Sequence, residues 1–293
     1  MKKIAKYIYN LLPLKREFYT LLKKWAKPSQ KVYQHLHFQG TFKVNITPKE
    51  SFKIYHHGSI EENEIFWNGL EGGWEKKSIS LWIELARCSN NILDIGANTG
   101  LYALIARTVN PNAIIHSFEP IPGVFKLLQK NTELNNYEIF NHELALSNFN
   151  GTASIFLPKN TDFAYSVTVN QNRLHKNNKA KELIIKTKTL ESFIEENSIT
   201  IIDLMKIDVE THEPEVLEGM GKYIKAYKPT IIIEVLESEI AERLKPYLNN
   251  LGYYIFNIDD NKNTIRQINT IEKSDYWNLL LCNEEIAKKL NLI

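Results

Sequence analysis

Residues 92–100 read Ile-Leu-Asp-Ile-Gly-Ala-Asn-Thr-Gly, an apolar strand that runs directly into a short glycine-containing turn. A second apolar stretch, residues 113–118, follows and ends at Glu119. A glycine turn after a first strand and an acidic residue after the second are typical of a doubly wound α/β domain that holds a nucleoside-containing cofactor. Gly96 and Gly100 would let backbone and ligand approach closely, and Glu119 would accept hydrogen bonds from both ribose hydroxyls.

The chemistry of this turn distinguishes between two cofactors. A dinucleotide site needs the spacing G-x-G-x-x-G, which places the pyrophosphate on a helix N-terminus. Here Asn98 replaces the second glycine, Leu101 occupies the third position, and the turn also carries Asp94. A carboxylate suits an ammonium group better than a pyrophosphate, and S-adenosylmethionine has an amino acid end and a ribose but no phosphate. The pattern therefore favours S-adenosylmethionine over NAD.

Four blocks of the sequence resemble the FkbM family of S-adenosylmethionine-dependent methyltransferases. The blocks are residues 93–100, 118–120, 144–147 and 206–213. The resemblance implies a Rossmann-like class I methyltransferase fold, an α/β domain with a doubly wound seven-stranded sheet. It also implies O-methylation of a sugar in a glycan or glycolipid, or of another small hydroxylated metabolite. The family usually has glycine where this chain has Thr211, a residue that adopts positive φ less readily than glycine.

The predicted cofactor site combines residue chemistry with this resemblance. Asp94 and Glu119 carry the argument from chemistry, because they flank the glycine turn, although Asp94 as a simple turn former is the alternative. Asn98 is expected to turn its amide toward the cofactor, and Thr99 to cap the following helix. The resemblance adds Glu75. It also implies that Ala145 and Leu146 form an apolar floor for the adenine ring, although ordinary core packing would explain these two residues equally well. The full predicted set is Glu75, Asp94, Gly96, Ala97, Asn98, Thr99, Gly100, Glu119, Pro120, Ala145, Leu146 and Asp208.

Three ionisable residues at the end of a later strand, Asp208, Glu210 and His212, are the predicted catalytic group. Strand alternation would place them on one side, at the carboxyl edge where ligands bind in open α/β sheets. His212 is either a general base for an acceptor hydroxyl, oriented by a carboxylate, or part of a capping cluster for the helix that Pro214 opens. A divalent metal held by these three side chains is a less specific alternative, and no metal is assigned.

The order of the elements predicts two regions. Residues 1–60 are expected to form a basic helical and β extension, and residues 61–293 the S-adenosylmethionine-dependent methyltransferase domain. Three β-like stretches interrupt the βα alternation and predict a β insertion over the active-site face, at about residues 150–189. These stretches are residues 152–157, 165–169 and 182–187.

The N-terminal segment is strongly basic. Residues 1–27 hold eight basic residues and one acidic residue, a charge of +7 in a chain whose total is +2. Its apolar residues fall on helical faces that Pro13 separates, a pattern that suits either packing on the protein or weak peripheral contact with an anionic membrane. These residues are Ile4, Ile8, Leu11 and Leu12, then Phe18, Leu21, Leu22 and Trp25.

Composition bounds the remaining possibilities. Two cysteines suit a reducing cytosol, so a cytoplasmic location is expected, with possible peripheral contact at the inner membrane surface. No basic patch interleaved with aromatics appears in the acidic remainder, so nucleic acid is not an expected partner.

Two other functions stay open: an NAD-dependent oxidoreductase on a similar fold, and a non-catalytic binding protein of the same fold. The missing second glycine opposes the first, and the intact cofactor residues oppose the second.

Overall fold

The computed structural model describes residues 14–158 and 180–293. Two compact units form, one up to Trp74 and one from Glu75 to Ile293. The predicted region boundary lies between residues 60 and 61, at the start of the helix Ile60–Asn68. In the structure this helix belongs to the first unit, which continues to Trp74. The predicted strand at residues 165–169 lies outside the described residues.

The first unit combines three helices with a β-hairpin. Its elements are α1 (Lys15–Trp25), α2 (Gln30–Tyr33), β1 (Gly40–Asn45), β2 (Ser51–His56) and α3 (Ile60–Asn68). The two strands are antiparallel, with Gly40 opposite His56, and their period-two pattern matches the sequence prediction. Aromatic side chains fill the space between hairpin and helices, as shown by the edge-on contact between Phe42 and Phe66, with ring centroids 5.4 Å apart.

The second unit is built on a large sheet with helices along the chain between its strands. Its strands are β3 (Asn91–Ile95), β4 (Ile114–Phe118), β5 (Phe140–His142), β6 (Ala145–Leu146), β7 (Gly151–Pro158), β8 (Ala180–Lys188), β9 (Leu204–Ile207), β10 (Thr230–Glu234), β11 (Tyr254–Asp259), β12 (Thr264–Ile268) and β13 (Asn278–Cys282). Its helices are α4 (Lys76–Ala86), α5 (Leu101–Val109), α6 (Pro122–Leu134), α7 (Leu190–Glu196), α8 (Glu213–Met220), α9 (Tyr223–Tyr227), α10 (Ser238–Leu248) and α11 (Glu284–Lys289).

The strand order of the large sheet is β12-β11-β13-β10-β9-β3-β4-β5. The five strands from β10 to β5 are parallel, while β13, β11 and β12 pair antiparallel at the other end. Strands β9, β10 and β13 are buried along their whole length, as expected for strands covered on both faces. The predicted doubly wound, Rossmann-like α/β fold is confirmed.

Two details of the sheet differ from the prediction. The described sheet has eight strands rather than seven, because β12 extends the edge as a hairpin partner of β11. The single strand predicted at residues 138–146 is divided, since β5 pairs in the large sheet and β6 pairs with β8 in another.

The predicted β insertion is present as a separate three-stranded sheet of order β6-β8-β7. The strands predicted at residues 152–157 and 182–187 correspond to β7 and β8, which pair antiparallel. Apolar side chains from this sheet, among them Ile155 and Ile185, pack with Ile121 and Val124 at the start of α6. The insertion therefore lies beside the residues that follow β4.

Within residues 14–158 and 180–293, each helix is too short or too polar to cross a bilayer.

Candidate functional site

The sheet changes direction between β3 and β9. From β3 the chain proceeds outward through β4 to β5 on one side, whereas β9 and β10 lie on the other. The two central strands are parallel, with Asp94 opposite Lys206 and Ile95 opposite Ile207. Ligands of open α/β sheets bind in the crevice at the carboxyl ends of strands at such a switch point. The glycine turn after β3 and the acidic segment after β9 both begin here.

The two glycines of the turn are required by close packing. Gly96 has a φ of +79°, and a Cβ there would lie 1.8 Å from the carbonyl oxygen of Asp208. Gly100 has a φ of +91°, and its Cβ would lie 2.5 Å from Leu128 Cδ1. Only glycine fits both the backbone conformation and the space. The close approach observed at these glycines is to the protein's own chain: Gly96 packs against the residue that follows β9, and Gly100 packs against α6.

Asp94 supports the helix that follows the turn. Its Oδ2 accepts a 3.0 Å hydrogen bond from the Ala103 N–H, in the first turn of α5. The N-cap of α5 is Gly100, which has no side chain to cap with, rather than the predicted Thr99. Burial raises the pKa of Asp94 to about 7, against the opposing effect of the Lys206 ammonium.

Glu119 joins the glycine turn to the start of α6. Its Oε2 accepts from the Asn98 N–H at 3.1 Å, and its Oε1 accepts from the Ile121 N–H at 2.9 Å. Burial raises the pKa of Glu119 to about 8, and the nearby Asp94 carboxylate adds to the shift, although the two backbone hydrogen bonds oppose it. The predicted ribose-binding acid is thus held rigidly beside the turn.

The side-chain oxygen of Asn98 bears on whether a ligand binds beside this turn. It has a φ of +50°, and its side-chain Oδ1 is buried with no hydrogen-bond partner in the part of the chain that the structure describes. A buried acceptor without a donor costs about 1–3 kcal/mol, so such groups mark places where a ligand or water belongs. A ligand that donates hydrogen bonds would satisfy this oxygen.

A buried polar network extends from the end of β9. Lys206 donates from Nζ to Asp208 Oδ2 at 2.9 Å and to Asn278 Oδ1 at 3.0 Å. Asn278 in turn donates from Nδ2 to Glu75 Oε1 at 2.6 Å, and the Tyr102 hydroxyl donates to Glu75 Oε2 at 2.7 Å. The predicted cofactor residues Glu75 and Asp208 are therefore brought to one edge and linked through a lysine and an asparagine.

Acidic side chains outnumber basic ones along this edge. Burial would lower the pKa of Lys206, but the carboxylates of Asp208, Glu75 and Glu234 raise it above its ordinary value. Burial raises the pKa of Glu75 to about 7, with the Lys206 ammonium opposing. Burial also raises the pKa of Glu234 well above its ordinary value, and Asp208 adds to that shift. A cationic ligand would be favoured here, because it would relieve this crowding.

The predicted alignment of the catalytic group along one strand face is wrong. Strand β9 ends at Ile207, and the chain then turns sharply, with φ of +54° at Glu210 and +74° at Thr211. Alternation therefore stops before Asp208, and the three side chains do not share a strand face. Glu213 holds this turn, since its Oε1 accepts from the N–H groups of Val209 and Thr211 at 3.2 Å each.

His212 makes contacts on both sides of its ring. Its Nε2 lies 3.0 Å from Ser147 Oγ, and its Nδ1 lies 3.5 Å from Glu215 Oε2. His212 is the N-cap residue of α8 without a side-chain capping bond, and burial lowers its pKa. The same helix packs closely on Ser147, because a Cβ on Gly219 would lie 2.0 Å from the Ser147 carbonyl oxygen. In this structure the imidazole ties the end of β6 to α8.

The remaining predicted residues lie in or beside the core. Ala97 packs with Phe125 and Leu128. Ala145 and Leu146 are buried in two different apolar clusters, and Pro120 is half-buried directly after Glu119. Thr99 is buried, and its carbonyl accepts from Asn131 Nδ2 at 2.8 Å.

Three members of the network, Lys206, Asn278 and Tyr102, were not predicted from the sequence. Lys206 gave a usable signal, because a lysine inside an otherwise apolar strand must be paired when it is buried. Asn278 and Tyr102 gave none, since nothing local marks them. Among the described residues, no three His, Cys, Asp or Glu side chains are arranged to hold a metal ion.

Comparison with known proteins agrees with this geometry. The family model of the methyltransferase FkbM domain matches residues 94–255, more than half of the chain. Hexuronic acid methyltransferase AglP of Haloferax volcanii is 27% identical over 177 residues, which cover 60% of this chain and 69% of that protein. Methyltransferase 1 of Beauveria bassiana is 25% identical over 162 residues, covering 50% of this chain and 65% of that protein.

The chain is also similar to a solved structure. Methyltransferase FkbM from Methylobacillus flagellatus is 15% identical, with a TM-score of 0.40 over 66% of this chain and 44% of that one.

Proposed function

Because the chain belongs to the FkbM methyltransferase family, we propose that it transfers a methyl group from S-adenosylmethionine to a hydroxyl of a sugar, a glycan or another small hydroxylated metabolite. The methyltransferase family supports the reaction type. The proposal adds the donor, the oxygen acceptor and the residues that act.

The buried, unpartnered Oδ1 of Asn98, beside the buried carboxyl of Glu119, carries the choice of donor. Together with Asp94 these groups form an edge rich in hydrogen-bond acceptors, and a cationic ligand would favour the ionised form of its carboxyls, whose pKa burial raises to about 7 and 8. S-adenosylmethionine offers hydroxyl, amine and ammonium donors and a positive sulfonium, which complement such an edge. The pyrophosphate of NAD is anionic and would be repelled, so the oxidoreductase alternative is disfavoured.

Specific contacts follow from this complementarity. Glu119 would accept from the ribose hydroxyls, and Asp94 or Glu75 would face the ammonium end. Asn98 would accept from a donor of the ligand through Oδ1. The proposed contact set is that of the sequence prediction: Glu75, Asp94, Gly96, Ala97, Asn98, Thr99, Gly100, Glu119, Pro120, Ala145, Leu146 and Asp208.

When bound, S-adenosylmethionine supplies a methyl group on a sulfonium, which an acceptor oxygen can displace in line. Asp208 is the candidate to accept the hydroxyl proton, because its side chain is 23% exposed while Lys206 beside it is 1% exposed. Lys206 would fix the carboxylate through Oδ2. Glu210 and His212 remain the other candidates, and the bonds of His212 to Ser147 and Glu215 suit a positioning role.

The acceptor class rests on a relative. The Haloferax protein is named for methylation of a hexuronic acid, and we extend that to a sugar or glycan acceptor here. We also propose a cytoplasmic site of action, supported by Cys88 and Cys282, which are both free thiols.

Isothermal titration calorimetry with S-adenosylmethionine, S-adenosylhomocysteine and NAD tests the donor. We expect saturable binding of the first two and none of NAD; preferential binding of NAD would reject the proposal. Incubation with methyl-labelled donor and a panel of nucleotide-linked and lipid-linked sugars, read by mass shift, then tests the acceptor. Tight donor binding without transfer to any acceptor would favour a non-catalytic binding protein.

A further inference from the structure

Helix α1 exposes a continuous apolar stripe. Phe18, Leu21 and Trp25 follow one another at intervals of three and four residues, which places them on one helical face, and the N-cap residue Leu14 precedes Phe18 by four residues. Their side chains are 71%, 62%, 57% and 88% exposed. Single exposed apolar residues are ordinary, but four large ones aligned on one face mark an interaction surface.

The stripe is not the face by which α1 packs on its own unit. Tyr19 lies to one side of it, is 4% exposed and contacts Trp67, with ring centroids 5.6 Å apart. Lys23, on the far side, donates from Nζ to the Phe66 carbonyl, and burial lowers its pKa. The helix is thus fixed by one face and presents the other outward.

Charge around the stripe identifies its occupant. Lys24 and Lys27 are exposed, whereas Glu17, the one acidic residue in the segment, pairs with Arg16. Residues 1–27 carry +7 in total. A second copy of the chain would bring the same positive segment to the stripe, and the two would repel. An anionic surface is complementary both to the lysines and, if it has an apolar interior, to the stripe.

We propose that α1 lies in the interface of an anionic phospholipid bilayer, with the stripe of Leu14, Phe18, Leu21 and Trp25 among the upper acyl chains. Lys24 and Lys27 then reach anionic headgroups, and Trp25 lies at headgroup depth, where aromatic side chains are favoured. This peripheral contact is independent of the methyl transfer proposed above. Donor binding without vesicles therefore tests that function separately.

Vesicle co-sedimentation of the full chain tests the surface. We expect binding to vesicles of phosphatidylcholine with added phosphatidylglycerol, and weak or no binding to phosphatidylcholine alone. Binding should fall at high salt, because the screening length shrinks from about 10 Å at 0.1 M to about 3 Å at 1 M. Equal binding to both vesicle types, or none to either, would overturn the proposal.

Two variants separate the apolar and basic contributions. Phe18→Gln/Leu21→Gln/Trp25→Gln should abolish sedimentation with anionic vesicles. Lys24→Gln/Lys27→Gln should weaken partitioning by about fivefold for each lysine that reaches the surface. A matched control replaces three equally exposed apolar residues elsewhere with glutamine and should bind as the wild type does. The control residues are Ile60, Phe140 and Ile184, which are 70%, 55% and 68% exposed.

Other occupants give different results. If a second copy covers the stripe, sedimentation velocity without vesicles will show a dimer that the triple glutamine variant loses. If the chain covers its own stripe, acrylamide will quench Trp25 poorly in vesicle-free protein, judged as the difference between the wild type and Trp25→Phe. Either result overturns the membrane proposal. Circular dichroism melts confirm that each variant folds, and the lysine variant tests the proposal even if the triple variant does not.

Discussion

Lys206 holds Asp208 by a 2.9 Å hydrogen bond from Nζ to Oδ2, at the point where the central strand β9 ends. The lysine is 1% exposed, whereas the Asp208 side chain is 23% exposed. The pair therefore joins a fully desolvated cation to a carboxylate that reaches the edge of the sheet. Around it, Glu75 and Glu234 act on the same lysine, so one ammonium serves several acidic groups.

Removal of this lysine should be costly. Lys206→Met leaves buried carboxylates without their cation, and loss of one member of a buried ion pair typically costs about 3–5 kcal/mol. Asp208→Asn should cost less, because the aspartate is partly solvated and Lys206 keeps its contact with Asn278. Urea unfolding of both single variants and the double variant measures this as a double-mutant cycle.

Lys225→Met, at an exposed lysine in the last turn of α9, is the matched control and should change stability by less than about 0.5 kcal/mol. If Lys206→Met is equally neutral, the network does not stabilise the fold as inferred.

Glu119→Gln tests the cofactor site. The substitution keeps the shape of the side chain but replaces one carboxyl oxygen with an amide group that only donates, so S-adenosylmethionine should bind about 1–3 kcal/mol more weakly. Calorimetric titration gives the affinity, and Glu133→Gln on the exposed face of α6 is the control. Unchanged affinity in a folded Glu119→Gln variant would show that the ribose assignment is wrong.

His212 has two possible roles that predict different measurements. Because its ring contacts Ser147 and Glu215, we expect His212→Ala to lower stability by about 1–3 kcal/mol and to leave donor affinity nearly unchanged. Ser147→Ala should reproduce part of that loss.

Turnover per folded molecule decides between these roles of His212. A positioning role leaves turnover within a few-fold of the wild type, whereas loss of a general base lowers it by about 10²–10⁴-fold. If the His212→Ala variant loses all activity and an added divalent metal restores it, the result supports the alternative in which Asp208, Glu210 and His212 hold a metal.

The strands of the sheet were predictable where the residues are mostly apolar. Residues 92–95 are apolar except for Asp94, residues 230–235 are apolar except for Thr230 and Glu234, and both stretches form central strands. Strand β12 was missed, because an edge strand with mostly exposed residues has no such run. The division of residues 138–146 was also missed, since the pairing of its first part with β4 and of its last part with β8 depends on the insertion and not on local pattern.

The residues of the candidate site were predictable from the sequence only where they lie close to one another along the chain. The glycine turn and Glu119 follow directly from two strands, and the structure places them together. The bond between Asn278 and Glu75 joins positions 203 residues apart, so no local signal reveals it. The prediction of His212 on a shared strand face was wrong, because Glu210 and Thr211 before it adopt positive φ. The side-chain types of these two residues do not indicate that conformation.

Stability should fall as pH rises above neutrality. Burial raises the pKa of Glu75 and Asp94 to about 7, and of Glu119 and Glu213 to about 8. In the unfolded chain these groups ionise near their ordinary pKa, below pH 5, so between pH 5 and 8 the folded state binds more protons. The stability they contribute is complete below about pH 4, declines between about pH 5 and 8, and is fully lost once the pH exceeds the folded pKa values of about 7 to 8.

Histidines act in the opposite direction at lower pH. Burial lowers the pKa of His56, His116 and His142 to about 4, so their contribution grows between about pH 4 and 6.5 and is nearly constant above pH 7. Chemical unfolding of ligand-free protein from pH 7 to 8 therefore reports mainly on the carboxyls, because the buried Cys282 thiol, whose pKa burial raises to about 12, ionises in the unfolded chain only near its ordinary pKa of about 8.5. We expect a decline of up to about 1.4 kcal/mol per pH unit for each proton held, and a shallower one in Glu119→Gln. A rise in stability over this range would contradict the assignment.

Thr211 occupies a position that favours glycine. Its φ is +74°, a conformation that costs a β-branched residue about 1–3 kcal/mol, and it follows Glu210, which also has positive φ. Thr211→Gly should remove that strain, although the buried Thr side chain is lost. Thr211→Ala is the control, because it loses the same contacts but keeps a Cβ. We therefore expect the glycine variant to be more stable than the alanine variant by about 1 kcal/mol in thermal unfolding. Equal stability of the two would mean that the turn relaxes and stores no strain at this residue.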